Sequence, residues 1–525
     1  MNSFPYLSFL IWLPILAGIG IALAPKLNIV APRSLSILVA VGILVAVGTL
    51  VISGFVVVKF LGGEAGFLLK QDVEWIPSIG VSYLVGVDSM AAWMMLLTAF
   101  LGLIAILISK PKEKVPQFLG LLLCLEGTLF GIFSSLDIVL FYVFFELSLV
   151  PVALMILGWG TGDKGKVAIR YVATLFAGSL LMLVGMAILA SRAIEVTRVP
   201  TFNVLRLQEL VANQGLWKDS WPLQSLAFWG FMIAFLVKSP VVPIHRWLND
   251  TYEDAPIGAV VAGVVLKVGT FGMFRFCLPL FPDACKAYAP IVVGIGVVGI
   301  IYGGILAAIQ KTPGRVMGFS TISHVGFILV GMFSLNHYGM MGAAFQQFNH
   351  GIAAAAVFVM LSFLAERSPS KSLEDFGGLK KSMPIFSTLF LIAMLTNLGL
   401  PFTGGFIGEF LALVGSYFAG HVGSNGLNVG FTYIAAAGAI LSASYMLYMY
   451  QRLFYGRNVE TQNYKDLDTK ETIIGGTFAI IILVLGILPM TILRSMEPNI
   501  KTLSSSYEAS GSSSNKSPQV ITEAK

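Results

Sequence analysis

Charged residues are scarce in this chain of 525 residues. Lysine, arginine, aspartate and glutamate make up only 11% of it, whereas a soluble protein carries about 25%. The sequence is 56% hydrophobic and has a mean hydropathy of +0.84. This composition excludes an ordinary soluble domain and predicts a polytopic protein of the lipid bilayer. The small net charge of +6 fits basic residues in inner loops and gives no indication of nucleic-acid binding.

Cysteine is also rare. Cys124, Cys277 and Cys285 form no C-x-x-C pair, and no histidine lies near them at the spacing of metal ligands. We therefore expect neither a zinc nor an iron–sulfur site in this chain. The first 25 residues lack the basic start and the cleavage site of a secretory signal, which favours a first membrane helix over a removable leader.

Long apolar runs dominate what is present, and a membrane-spanning helix needs about 20 mostly apolar residues. Fourteen segments meet this requirement: 6–25, 34–58, 88–109, 116–134, 137–158, 168–191, 224–247, 256–280, 288–309, 314–333, 339–364, 384–416, 430–451 and 472–493. The sequence therefore predicts an all-α membrane protein with about 14 transmembrane helices. Because no soluble domain is left for flavin or nucleotide, we expect no cofactor and no metal in this chain. The G-x-G-x-x-G match at 294–299 is interpreted as a helix-packing face.

The charges of the connecting loops predict the orientation of the chain. Loops 25–34, 109–115, 159–170 and 310–316 are net positive, whereas the intervening loop 62–88 is net acidic. The positive-inside rule places the first four on the cytoplasmic or equivalent side, so both termini are expected outside. The lack of a transit peptide favours a bacterial plasma (inner) membrane, with the thylakoid membrane as the alternative.

Segments seven and twelve are long, are each marked by a deep ionisable residue, Lys238 and Glu409, and are interrupted by helix breakers. The predicted breaks are Pro240, Pro243, Pro401, Gly404 and Gly405. Interrupted helices at corresponding places are typical of inverted-repeat transporters. We therefore predict inverted repeats of five helices, segments 4–8 and 9–13. The predicted division of the chain is 1–110 for helices 1–3, 111–280 and 281–455 for the two repeats, 456–500 for helix 14 and 501–525 for a polar, disordered tail.

A charged side chain inside a membrane helix costs about 2.5–3.5 kcal/mol, so few persist without a role or a partner. Seven ionisable residues lie deep in the predicted helices: Glu126, Glu146, Lys238, Lys267, His324, His350 and Glu409. Their spread over seven segments is typical of a lateral proton path, whereas a solute transporter would gather polar groups around one cavity. For Glu126, a purely structural role and a place in the path both stay open.

Glu146 and Lys238 are the central pair of this hypothesis, because both are predicted mid-membrane. The break at Pro240 leaves nearby carbonyls without helical partners and makes the region flexible. A pair that opens and closes would switch the affinity of the lysine for protons. A static structural ion pair is the alternative.

The other candidates lie further along the chain. Lys267 is flanked by apolar residues on both sides, which argues against snorkelling to the membrane surface. His324 and His350 are either proton relays or satisfied core histidines. Glu409 follows the break in "GLPFTGG" and would form the far end of the path.

Several of these stretches resemble the antiporter-like membrane subunits of respiratory complex I, a family shared with multi-subunit cation/proton antiporters and membrane-bound hydrogenases. The resemblance covers 118–452 and rests on "LFYVFFELSLVP" with Glu146, "VKSPVVPIHRWLNDTYEDAP" with Lys238, "LLKVGTFGMFR" with Lys267, and "STISHVGF" and "NHGIAAAAVF". Glu409 in "GLPFTGGFIGEF" stands where several paralogues have lysine. It resembles the type called subunit M or subunit 4, which also has a counterpart in photosynthetic complexes.

The resemblance implies that NAD(P)H or ferredoxin reduces quinone in partner subunits, which would hold the flavin, the iron–sulfur clusters and the quinone. It also implies partners among peripheral subunits and neighbouring antiporter-like subunits. The implied proton path in this chain runs through Glu146, Lys238, Lys267, His324, His350 and Glu409. The alternatives are a subunit of a sodium/proton antiporter, a subunit of a membrane-bound hydrogenase and an ordinary solute transporter.

Overall fold

The computed structural model describes residues 4–25, 32–111, 113–213, 215–254, 261–368, 370–422, 426–456 and 463–512. Within these residues, 14 helices are long and apolar enough to cross a membrane. This number confirms the prediction from the apolar runs, and the chain is an integral, multi-pass membrane protein.

The helices of the first half of the chain, in order, are α1 (Tyr6–Leu23), α2 (Pro32–Val58), α3 (Ser89–Ile108), α4 (Val115–Ser134), α5 (Ile138–Leu147), α6 (Leu149–Trp159), α7 (Lys164–Thr197), α8 (Val204–Asn213), α9 (Trp221–Lys238) and α10 (Arg246–Asp254). Short polar side chains cap several of them. Asp137, for example, accepts hydrogen bonds from the backbone N–H groups of Val139 (2.9 Å) and Leu140 (3.1 Å) at the start of α5. Such caps satisfy donors that have no partner within the helix.

The remaining labelled helices are α11 (Lys267–Gly272), α12 (Pro282–Ala308), α13 (Pro313–Met332), α14 (His337–Ala365), α15 (Pro384–Asn397), α16 (Gly404–Val422), α17 (Val429–Phe454), α18 (Thr469–Ile487) and α19 (Met490–Ser512). Short turns also occur at Pro77–Ile79, Leu278–Leu280, Leu373–Asp375 and Leu379–Ser382. The predicted packing face at 294–299 is present, because a Cβ on Gly296 would lie only 2.8 Å from the carbonyl oxygen of Gly326 on α13.

The acidic loop 62–88 contains a β-hairpin, which the all-α prediction omits. Strands β1 (Leu68–Ile76) and β2 (Val81–Val87) pair antiparallel. The connection ends at Gly80, which has a φ of +71° and comes so close to Pro200 that a Cβ would lie 2.1 Å from its carbonyl oxygen. The two strands satisfy one another's backbone groups where the chain leaves the helical bundle.

Both predicted interruptions coincide with helix ends. Helix α9 ends at Lys238, not at residue 247, and α10 resumes at Arg246. The freed carbonyl of Val237 accepts a hydrogen bond from the Trp247 indole over 3.1 Å. Segment twelve consists of α15 and α16, which are separated by residues 398–403. Proline and glycine stand in or beside both gaps, as the sequence predicts.

Two further irregularities were not predicted. A turn at Ser148 separates α5 from α6 within one membrane span. The chain on either side of α11 forms π turns, Val261–Val265 and Met273–Cys277. π turns inside α-helices are rare and are frequent at functional sites. The start of the predicted segment 256–280 lies partly outside the described residues.

The predicted disordered tail at 501–525 is wrong for its first part, because α19 continues to Ser512. Trp93 of α3 donates an indole hydrogen bond to Ser495 over 2.8 Å, and Tyr507 donates to the carbonyl of Leu278 over 2.5 Å. These contacts hold the helix against the bundle, so serine-rich composition is compatible with helix here. Residues 513–525 lie outside the described part.

Candidate functional site: a buried row of ionisable side chains

Lys238 is the last residue of α9 and is completely buried. Its Nζ donates a hydrogen bond to the Ser148 hydroxyl over 3.1 Å and lies 4.6 Å from the centre of the Phe145 ring. Among the described residues, no ion pair joins it to Glu146 within 4.0 Å, although the two charges interact electrostatically. The close pair expected from the sequence is therefore open in this structure, and Ser148 and Phe145 contact the lysine instead.

Lys267 and His350 contact each other in the interior. Lys267 begins α11, between the two π turns, and His350 lies midway along α14. The Nζ of Lys267 and the Nδ1 of His350 are 2.6 Å apart, and both side chains are buried. Because an ammonium group only donates hydrogen bonds, a protonated Lys267 requires His350 to accept at Nδ1.

His324 and Glu409 form a second buried contact. The Nδ1 of His324 lies 2.7 Å from the Oε1 of Glu409, and the Gln346 side-chain amide donates to the same oxygen over 3.2 Å. The contact joins α13 to α16, the second half of interrupted segment twelve. Two side chains therefore converge on one carboxylate oxygen inside the protein: the Gln346 amide donates to it, and His324 contacts it through Nδ1.

These two contacts form one continuous row, because the rings of His324 and His350 lie 5.0 Å apart between centroids. The Nε2 atom of each ring is buried and has no hydrogen-bond partner among the described residues. We call Lys267, His350, His324 and Glu409 the buried row. The row leads from α11 through α14 and α13 to α16.

Lys238 lies near the buried row but is not part of it. The backbone of Gly269 packs so closely on Ser239 that a Cβ on the glycine would lie 2.2 Å from the Ser239 hydroxyl oxygen. Ser239 follows Lys238 directly, and Gly269 lies two residues after Lys267. The Ser239 hydroxyl is buried without a partner among the described residues, which leaves a polar atom between the two lysine-bearing helices.

Three glycines shape the break beside Glu409. A Cβ on Gly405 would lie 2.0 Å from the carbonyl oxygen of Thr396, and one on Gly404 would lie 2.1 Å from the Oδ1 of Asn349. Gly399 has a φ of +74°, and a Cβ there would lie 2.9 Å from the Oε2 of Glu409. Only glycine fits these approaches, so the break brings its backbone directly to the carboxylate.

Glu126 lies apart from the buried row. It is buried on α4 and contacts α2, where the Thr49 hydroxyl is 2.5 Å from its Oε1. Its Oε2 faces Gly102 of α3 and has no hydrogen-bond partner among the described residues. The structure thus brings four of the seven deep residues into one row, sets Glu146 and Lys238 beside it, and separates Glu126.

Sequence reasoning missed several polar residues around the site. Ser148, Gln346 and the Thr270–Gln347 hydrogen bond of 2.9 Å were not predicted. The run "FQQFNH" could have indicated the two glutamines, because polar side chains in a membrane helix face protein or water. His245, in the loop before α10, was also missed. It is half-buried beside the rings of Tyr302 and Phe319, and burial lowers its pKa.

Residues 135–432, more than half of the chain, match the NADH:quinone oxidoreductase/Mrp antiporter transmembrane family. The chain belongs to this family. It is 34% identical over 509 residues to NADH-quinone oxidoreductase subunit M of Rickettsia prowazekii, covering 96% of this chain and 99% of that protein. It is also 34% identical over 442 residues to subunit M of Pseudomonas aeruginosa, covering 82% and 84% of the two chains.

Solved structures show the same fold in this family. A chain of respiratory complex I from Thermus thermophilus superimposes with a TM-score of 0.82 at 26% identity, covering 95% of this chain and 99% of that one. A chain of the Mrp complex from Dietzia sp. superimposes with a TM-score of 0.80 at 20% identity, covering 96% and 98%. At that identity, the second likeness concerns the fold alone. The resemblance to antiporter-like subunits of the subunit M type is thereby confirmed.

Among the described residues, no group of three or more histidine, cysteine, aspartate or glutamate side chains could hold a metal ion.

Proposed function

We propose that this chain is the proton-translocating membrane subunit of a complex I-type NAD(P)H:quinone or ferredoxin:quinone oxidoreductase. The observation that carries the proposal is the buried row, in which Lys267, His350, His324 and Glu409 follow one another at contact distances. Buried ionisable groups are expensive in a membrane protein and mark ion pathways. A row that runs from helix to helix fits lateral transfer of protons, whereas a solute site would need one cavity.

The donors and acceptors that each side chain offers define where the protons of the row would sit. A protonated Lys267 donates to Nδ1 of His350, so the hydrogen of a neutral His350 sits on Nε2. A carboxylate only accepts, so the Nδ1 of His324 carries a hydrogen toward Glu409 and the Nε2 of a neutral His324 is bare. With these hydrogen positions, Nε2 of His350 is a donor and Nε2 of His324 is an acceptor, and the centroids of the two rings are 5.0 Å apart.

A proton would then move by successive transfers. Lys267 gives a proton to Nδ1 of His350 while Nε2 of His350 releases one toward Nε2 of His324. His324 in turn passes its Nδ1 proton to Glu409. Each step breaks one N–H bond and forms one N–H or O–H bond. One passage leaves both imidazole rings in the opposite tautomer, so each ring must turn over before the next cycle. Glu409, beside the break between α15 and α16, is the outlet.

Lys238 and Glu146 would control loading of the row. In this structure, Lys238 contacts the Ser148 hydroxyl and the Phe145 ring and does not touch Glu146. A closer approach of the carboxylate would favour the protonated lysine, and retreat would favour release of the proton. The turn at Ser148 and the end of α9 at Lys238 are the places where the helices can bend to allow this motion.

The wider assignments follow from the family. The proposed partners are peripheral subunits that carry flavin and iron–sulfur clusters, a quinone-reducing subunit, and neighbouring antiporter-like subunits. The chain supplies no redox centre in this proposal, so its own part in the reaction is movement of protons. We place it in a bacterial plasma membrane with both termini outside and retain the two inverted repeats as the basis of its mechanism.

Proteoliposomes that contain the whole assembled complex test the proposal. Lys238→Ala and Glu146→Ala are each expected to lower the number of protons moved per electron while the complex still assembles and reduces quinone. Glu126→Gln is the matched control, because it alters a buried carboxyl that lies apart from the row. Assembled Lys238→Ala complex with the wild-type proton-to-electron ratio would disprove the role of this chain.

A further inference from the structure

A groove of about 780 Å³ lies between α15 and α17, and none of its lining residues belongs to the buried row. Its wall includes Thr388 and Leu391 of α15 and Leu447 and Gln451 of α17, and its end is formed by Lys380 with Tyr455. From Leu447 to Tyr455 the groove follows eight helical residues, or about 12 Å. It is therefore long enough for a headgroup and the first part of an acyl chain.

One end of the groove is cationic. The Nζ of Lys380 lies 3.5 Å from the Tyr455 hydroxyl and 5.3 Å from the centre of its ring. No carboxylate among the described residues lies within 4.0 Å of this lysine. The backbone N–H of Gly378 donates to the carbonyl of Tyr455 over 3.1 Å, which fixes the turn of Lys380 against the end of α17. The lysine is thus held in place, and its charge has no acidic partner within the part of the chain that the structure describes.

The other end of the groove is apolar and open. Leu447, at this end, is 51% exposed. Between the two ends, the Gln451 side-chain amide can donate hydrogen bonds, whereas the Thr388 hydroxyl donates to the carbonyl of Pro384 over 3.0 Å. Next to the groove on α17, Arg452 stacks on Tyr448 with its guanidinium 5.2 Å from the ring centre. Along the groove, the positive charge of Lys380 is therefore followed by polar hydrogen-bonding groups and then by the apolar side chain of Leu447.

This order matches the order of groups in a phospholipid. We infer that the groove between α15 and α17 binds an anionic phospholipid, with the phosphate at Lys380 and Tyr455 and an acyl chain between Leu391 and Leu447. Basic pockets between membrane helices on the cytoplasmic side bind anionic headgroups, and the positive-inside rule assigns the loop with Lys380 to that side. The inference does not depend on the proposed proton path.

Photolabelling of the assembled complex tests the inference. Two probes are compared in phosphatidylcholine vesicles: a phosphatidylglycerol and a phosphatidylcholine, each with a photoreactive group on the acyl chain. We expect the phosphatidylglycerol probe to label peptides of α15 and α17 preferentially. Since one lysine near a membrane surface is worth about 1 kcal/mol, Lys380→Gln should weaken this labelling about fivefold. Lys218→Gln, which neutralises an exposed lysine in the loop before α9, away from the groove, should leave it unchanged.

Leu447→Trp provides a second test that keeps the charge, because an indole would fill the apolar end of the groove. It should also reduce labelling, and it remains usable if Lys380→Gln fails to assemble. Equal labelling by both probes, or labelling that neither variant changes, would overturn the inference. A cross-link from the groove to another subunit in place of lipid would overturn it as well, since a protein would then occupy the groove.

Discussion

The Nζ of Lys267 and the Nδ1 of His350 lie 2.6 Å apart, although the two residues are separated by 83 positions in the sequence. The contact links the π-turn region around α11 to the middle of α14. From there, His324 and Glu409 continue the same line of polar groups. Because the Lys267–His350 contact lies next to the His324–Glu409 contact, the four ionisable residues form one connected row.

The first prediction concerns His350. His350→Gln keeps a polar side chain but replaces the imidazole ring by an amide. The amide cannot take up a proton on one side and release one on the other. Loss of a positioned proton-transfer group costs about 100-fold or more in rate, and we expect pumping by this subunit to fall accordingly. Proton uptake during quinone reduction in proteoliposomes measures this.

His337→Gln is the control for this variant, because His337 lies at the start of the same helix and outside the buried row. It should pump normally. If His350→Gln pumped at the rate of the control, the row would carry no protons through this histidine.

The second prediction concerns Glu409. Glu409→Gln retains an oxygen that can accept from His324, so the fold should persist, but the amide cannot take up the proton. We expect pumping to be lost while quinone reduction continues. Glu409→Asp, which keeps the carboxylate at the cost of one methylene, should restore part of the pumping. Equal pumping by the glutamine variant and the wild-type protein would exclude Glu409 as the outlet.

The third prediction concerns the charge of Glu126. The Thr49 hydroxyl lies 2.9 Å from the carbonyl of Ala46 and 2.5 Å from Oε1 of Glu126, yet it has only one hydrogen to donate. If that hydrogen goes to Ala46, the carboxyl group must donate the other bond, so we expect Glu126 to be protonated. Infrared difference spectra of wild-type minus Glu126→Gln protein should then show the carbonyl stretch of a protonated carboxylic acid. A carboxylate band in its place would contradict the expectation.

The fourth prediction concerns the ion pair of Arg275 and Asp88. The Nη2 of Arg275 is 2.9 Å from Oδ1 of Asp88, and the two side chains are 3% and 12% exposed. Removal of one member of a buried pair leaves the other charge uncompensated and typically costs about 3–5 kcal/mol. Arg275→Ala should therefore lower the unfolding temperature of the detergent-solubilised protein markedly.

The exposed pair of Arg206 and Glu209 is the comparison, because an exposed pair contributes about 0–1 kcal/mol. Arg206→Ala should leave the unfolding temperature nearly unchanged. Equal effects of the two arginine variants would show that burial of the Asp88 pair does not determine its contribution.

The fifth prediction concerns the glycines at the break. Gly405→Ala would bring a Cβ to 2.0 Å from the carbonyl oxygen of Thr396, so α16 must shift and carry Glu409 with it. We expect reduced pumping and a lower unfolding temperature. Gly476→Ala is the matched control, since a Cβ there meets nothing within 4 Å and alanine is favoured over glycine in helices by about 1 kcal/mol. A harmless Gly405→Ala would show that the break tolerates displacement.

The sequence predicted the features that depend on local composition. Long apolar runs identify the membrane helices because each must satisfy its own backbone hydrogen bonds in lipid. Pro240 and Pro401 mark the two gaps for the same local reason, since proline donates no hydrogen bond and obstructs the preceding turn. The hairpin of β1 and β2 and the helical form of 501–512 escaped prediction, because both are stabilised by partners elsewhere in the chain.

By itself, the sequence determined that this protein lies in a membrane, where its helices break and most of the ionisable residues within them. Glu146 is only half-buried, and the buried Arg275 was not predicted. Only the tertiary structure decided which of those residues meet. Helix packing brings His350 to Lys267 and Glu409 to His324, while it leaves Glu146 away from Lys238 and Glu126 beside Thr49. The reason is physical: hydropathy is a property of each segment, but a proton transfer needs two atoms within hydrogen-bond distance. That distance depends on how separate helices pack.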